Sequence, residues 1–137
     1  MKNGVRLTLL AISVLVLLGA ASGCNSAPTS TIDENTVRAY ADPATETTLQ
    51  GLSEGDLAEY VENGNAEFKA AVTQEILDPV TAQITSQLGA YVSKTFLSVD
   101  EQQGYVIVHY KAQYTKGEAK VRMVFDGDGL VAGQFFE

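Results

Sequence analysis

Cysteine and histidine are nearly absent: the 137 residues hold one of each, Cys24 and His109. A lone cysteine cannot close an internal disulfide, and with no second histidine and no spare thiol a transition-metal centre has nothing to build on. No metal and no cofactor is therefore expected. Basic residues are also scarce, 9 Lys and Arg against 17 Asp and Glu, for a formal charge of −8. Nucleic acid as a partner, or a charge-driven hold on anionic lipid, needs a basic footprint, and neither fits. There is no internal repeat, and the length leaves room for one modest domain.

What is present begins with a short basic start, Lys2 and Arg6, then the apolar run 7–18 and the small residues Gly19-Ala20-Ala21-Ser22-Gly23 before Cys24. Residues 1–23 read as a secretory signal peptide. Ser22-Gly23-Cys24 resembles a lipobox, with Ala21 where Leu is commoner. An uncleaved membrane anchor and ordinary cleavage with a leftover thiol are the alternatives. Lipidation accounts for the single cysteine: each buried methylene contributes about 0.8 kcal/mol, and two acyl chains hold where one holds only marginally. The expected location is the extracytoplasmic face of the cell membrane, lipid-anchored through Cys24. Cleavage removes Lys2 and Arg6, so the mature charge becomes −10.

Residues 24–41 are rich in Ser, Thr, Asn and Ala and read as the lipidated Cys24 and a flexible tether, with the domain at 42–137. Asp42-Pro43 and Asp78-Pro79 each set a capping carboxylate before a proline suited to the first helical position. A first helix with Leu49 and Leu52 stops near Ser53, Gly55-Asp56 opens a short one, and another follows Asn65. The last carries Leu77, Val80, Ile84 and Leu88 and ends at Gly89.

Four strands follow. Residues 91–99 form the first, with Tyr91, Thr95, Leu97 and Val99 inward. The next two, joined at Lys116-Gly117, alternate strictly. Val106, Val108, Tyr110, Ala112 and Tyr114 face one side, as do Ala119, Val121, Met123 and Phe125. A two-residue turn at Lys116-Gly117 would set Tyr114 opposite Ala119 and Tyr110 opposite Met123; the alternation fixes the parity, while a slip by two keeps the faces. Residues 130–136 make the last strand. The fold class is α+β, with N-terminal helices packed on a curved four-stranded antiparallel sheet. Candidate cavity-lining residues are Tyr91, Leu97, Val108, Tyr110, Tyr114, Met123 and Phe125.

The segments GLSEGDLAEYVE, SQLGAY and SVDEQQGYVIVHYKAQYTKGEAKVRMVFDGDGLVAGQFF resemble the domain of unknown function 3887 over residues 46–137. That family belongs to the cone-shaped superfamily of nuclear transport factor 2, polyketide cyclases and ketosteroid isomerase. The resemblance implies a helix-lined cone over a bent sheet, an apolar cavity open to an apolar small molecule, and a homodimer through the sheet. It carries no assigned catalytic residues, and an early hairpin found in larger members is missing.

An isomerase-like or cyclase-like enzyme needs a carboxylate or His base in the cavity beside an oxyanion donor. Tyr110 and Tyr114 could donate, but no Asp, Glu or His shares their strand face; Asp56 or Glu59 would have to reach in from the helices. Core tyrosines with bonded hydroxyls are the plainer reading. Asp126-Gly127-Asp128-Gly129 reads as a hairpin turn, since Leu130 and Val131 stand where a calcium loop needs an oxygen ligand and Gly. Charge is concentrated instead. Residues 105–125 carry four basic residues and one acidic, +3, against three and sixteen, −13, in the rest of the mature chain. His109, Lys111, Lys120 and Arg122 share the outward face, a candidate surface for an acidic partner, either a second copy or another envelope protein. The expected function is a membrane-anchored, non-catalytic binding domain. A small cone-fold enzyme acting on an apolar molecule is the alternative.

Overall fold

The computed structural model describes residues 32–137. Cys24, the expected signal peptide and residues 24–31 of the expected tether lie outside the described residues. The described chain is α+β, with helices α1 (Glu34–Glu54), α2 (Leu57–Tyr60), α3 (Ala66–Ala71) and α4 (Gln74–Leu88). Strands β1 (Tyr91–Gln102), β2 (Tyr105–Tyr114), β3 (Gly117–Phe125) and β4 (Val131–Phe136) follow as an antiparallel sheet in sequence order. No helix among the described residues is long and apolar enough to cross a membrane.

α1 begins eight residues before the boundary drawn at Asp42-Pro43. Asp33 caps it, accepting from the Asn35 amide at 3.1 Å and the Thr36 hydroxyl at 2.7 Å. Val37, Ala41 and Ala44 continue one buried face toward Thr48 and Leu52. That face carries the helix through Pro43, despite the lost N–H and a local penalty of about 3 kcal/mol. The same correction applies to Asp78-Pro79: Pro79 lies inside α4, whose N-cap is Thr73. The stops fall where read, with Gly55 left-handed after α1 and Gly89 at φ 85° and ψ −161° after α4. Only glycine adopts the latter conformation readily.

β2 and β3 keep the expected parity but not the expected register. Tyr114 pairs with Gly117, Tyr110 with Val121 and Val108 with Met123, a slip of two residues. The turn is Thr115-Lys116, neither at positive φ. The amides of Thr115 and Lys116 donate to the carbonyls of Ala90 (2.9 Å) and Leu88 (2.8 Å), so the end of α4 holds the turn in place. β1 departs further. Bulges between Tyr91 and Ser93 and between Phe96 and Ser98 reset its alternation. Tyr91, Lys94, Phe96 and Val99 thus lie inward or half-buried, while Thr95 and Leu97, expected inside, are exposed.

The core lies between α1 and the sheet. Val108, Tyr110, Ala112, Tyr114, Val121, Met123, Phe125 and Val131 meet Val37, Ala41, Leu49 and Leu52, with Leu77 of α4. Gly51 lets α2 close on α1: a Cβ there would come within 2.8 Å of the Tyr60 Cα. The edge of β4 is covered in part by the loop between α2 and α3. There the Asn65 amide donates to the Val131 carbonyl and the Val131 amide to that of Asn63, both at 2.9 Å.

Candidate functional site

The alternation that sends Tyr110 and Met123 inward sends His109, Lys111, Lys120 and Arg122 out. The register makes them two directly opposed pairs, His109 with Arg122 and Lys111 with Lys120. Lys111 and Lys120 are directly opposed like charges, unfavourable unless something answers them. Glu118 sits 3.5 Å from Lys111, and Glu137 lies 3.4 Å from His109 Nδ1 and 3.8 Å from Arg122 Nε. Asp100 of β1 stands 3.5 Å from His109 Nε2. Lys120 has no ion pair among the described residues. Arg122 Nε is shielded from solvent without a hydrogen-bond partner.

A shallow hollow of about 360 Å³ opens beside this quartet, bordered by Asp100, Ile107, His109 and Arg122. Phe135 of β4, opposite Arg122, lies under its guanidinium at 4.7 Å and stays 48% exposed. Sequence reading missed Phe135, Asp100 and Glu137. Phe135 was legible only through the β3–β4 register, because a bulge between Val124 and Phe125 shifts that pairing. The patch can attract an anionic group, and its aromatic and arginine give it an apolar anchor. Among the described residues no three His, Cys, Asp or Glu side chains are grouped to hold a metal ion.

The other candidate residues are placed differently. Val108, Tyr110, Tyr114, Met123 and Phe125 are core side chains, at most 2% exposed, packed under α1. Tyr91 is half-buried at the edge and Leu97, on a bulge, is 45% exposed. None of the seven borders the four hollows described on the surface. Asp56 caps α2, accepting from the Glu59 amide at 3.1 Å, and neither it nor Glu59 reaches the interior.

α1 does bring carboxylates to the tyrosines. Arg38, Asp42 and Glu46, four residues apart, share a helix face that the reading of Asp42 as a helix cap concealed. The Tyr110 hydroxyl donates to Asp42 Oδ1 at 2.8 Å, and Arg38 Nε donates to Oδ2 at 3.1 Å. Glu46 Oε2 accepts from the Tyr91 hydroxyl at 2.9 Å and from Lys94 Nζ at 3.0 Å. Burial first, then the carboxylate partner, pushes both tyrosines well above their usual range, so each keeps its proton and donates. The carboxylates are engaged by their own neighbours, which makes the group a clamp between α1 and β1–β2. Tyr114 differs: burial pushes it up to about 12, and its hydroxyl has no partner among the described residues.

A family model described as "Protein of unknown function (DUF3887)" matches residues 45–133. No curated protein and no solved structure matches the chain.

Proposed function

We propose, for a chain that belongs to the DUF3887 family of proteins of unknown function, the role of a lipid-anchored extracytoplasmic interaction module. Its working surface is the outer face of the sheet, and its partner is an acidic protein surface. The observation that carries this reading is the directly opposed Lys111–Lys120 couple, beside Arg122 and His109, on the exposed face of an otherwise acidic chain. The anchor is supported by the single cysteine at the end of a signal-like segment. Placement in the cone-shaped nuclear transport factor 2 superfamily is part of the proposal, supported by one long helix laid across a four-stranded antiparallel sheet.

Charge reversal at Lys111 and Arg122 tests the surface. It should change the set of proteins recovered with the chain from its own envelope; an unchanged set sinks the reading. Cys24→Ser tests the anchor independently. The variant should leave the membrane fraction and lose the mass of the acyl groups, and a variant still in the pellet with unchanged mass would remove the lipid from the account.

A further inference from the structure

The outer face has a counterpart elsewhere on the chain. α1 ends at Glu54 with no basic residue in its last turn, so the negative end of its dipole is unanswered there. Asp56, Glu59 and Glu62 follow within eight residues. Burial first, then the carboxylates of Glu54, Asp56 and Glu62, holds Glu59 above the usual carboxylate range. An open groove of about 670 Å³ runs along this corner, with Leu57, Ala58 and Val61 on its walls and Glu54 and Asp56 at its rim. It offers an apolar lining with an acidic border. The sheet face offers an exposed Phe135 with a basic border.

We propose that the protein associates with itself head to tail, the basic sheet face of one copy docking on the acidic α1–α2 corner of the next. The proposal rests on the reading of the outer face as an interaction surface and names its partner as a second copy. Charge complementarity argues for that partner: Lys120 stands on the sheet face without an ion pair among the described residues, while Glu54, Asp56, Glu59 and Glu62 crowd the α1–α2 corner with charge of one sign. The same argument disfavours two-fold pairing of sheet on sheet, which presses the Lys111–Lys120 couple toward its own image. A contact between two different patches is heterologous, so it continues into a ring or a filament rather than stopping at a dimer.

The test uses the full chain in nonionic micelles, followed by sedimentation over a wide concentration range at low and high salt. Wild type should grow beyond a dimer as concentration rises, and salt should reverse the growth. Lys111→Glu with Lys120→Glu removes one patch, and Glu54→Lys with Glu59→Lys removes the other. Each variant alone should associate about tenfold more weakly or worse. Mixed in equal amounts they retain one original contact and bring the two reversed patches together with swapped polarity, so association should be recovered in the mixture. Thermal unfolding close to wild type confirms that both are folded. A wild type that stays monomeric, or variants that stay apart when mixed, overturns the proposal. So does a wild-type dimer abolished by the basic-face variant and not restored by mixing, which is two-fold sheet pairing. Envelope proteins lost from the basic-face variant without any self-association would overturn the second copy as partner and leave the outer face standing as a docking surface.

Discussion

Along β2 and β3, adjacent residues meet opposite conditions. Tyr110, Val121 and Met123 are at most 1% exposed, while Lys111 and Lys120, one position away, are exposed. On the inner face Tyr110 and Tyr91 find partners on α1, in Asp42 and Glu46, while the buried hydroxyls of Tyr114, Thr45 and Thr48 have none among the described residues. On the outer face Lys120 has no ion pair among the described residues and opposes another lysine. The inner face is closed by the chain's own helix, while the outer one leaves a lysine unanswered. That difference separates a surface selected for folding from one available for something else.

The largest effect should come from opening the inner face. Met123→Ala removes a fully buried side chain beneath α1, and destabilisation of about 2–5 kcal/mol is expected in denaturant unfolding. Lys120→Ala, three residues earlier on the opposite face, should stay within about 0.5 kcal/mol of wild type. Comparable losses at both positions would erase the distinction between the faces.

A finer cut lies within the inner face itself. Tyr110→Phe takes a hydroxyl from Asp42 and should cost about 1.5–3 kcal/mol, as a hydrogen bond to a charged group is lost. Tyr114→Phe removes a buried hydroxyl that has no partner, and should be neutral or stabilising by about 1 kcal/mol. The two unfolding midpoints should therefore move in different directions. If they move together, Asp42 does not hold α1 to the sheet.

The β3–β4 turn adds a pH dependence. Burial alone would raise Asp126, but donors from Leu130, Asn65 and Asp128 outweigh it and hold its carboxyl below the usual value of 3.8. A group depressed in the folded state contributes fully above its unfolded pKa and loses that contribution as pH falls through the folded one. Asp126→Ala should cost about 1–2 kcal/mol at neutral pH. The gap to wild type should narrow in acid below pH 3.8. A gap independent of pH would mean that turn geometry alone, and not the charge, is at work.

How much of this was legible follows from the period of each element. β2 and β3 alternate without interruption, so their faces were readable to the residue, although their register was not. What set the register was a pair of amides bonded to the end of α4, a contact 25 residues away in sequence. β1 carries two bulges that no residue pattern announced, and Leu97 was assigned to the wrong side. α1 was cut short because Asp42-Pro43 imitates a helix start. The true cap, Asp33, stands at the edge of a polar stretch that reads as linker. That one boundary hid Asp42 and Glu46 from the tyrosines they serve.

The smallest expected effect tests the outer face most directly, because it separates the cost of a charge from its use. Lys120→Glu replaces an opposed like pair with an opposite one beside Lys111, and such cross-strand pairs are worth roughly 0.2–1 kcal/mol. The variant should therefore unfold at slightly higher temperature, with a gain that fades as salt screens it. Under the head-to-tail proposal it should at the same time associate less well, although one charge reversed in the patch weakens the contact by less than two. Stability rising while association falls marks Lys120 as a residue kept at some expense to the isolated fold. Stability unchanged would mean that solvent already screens the two lysines, and the strain attributed to this face would have to be withdrawn.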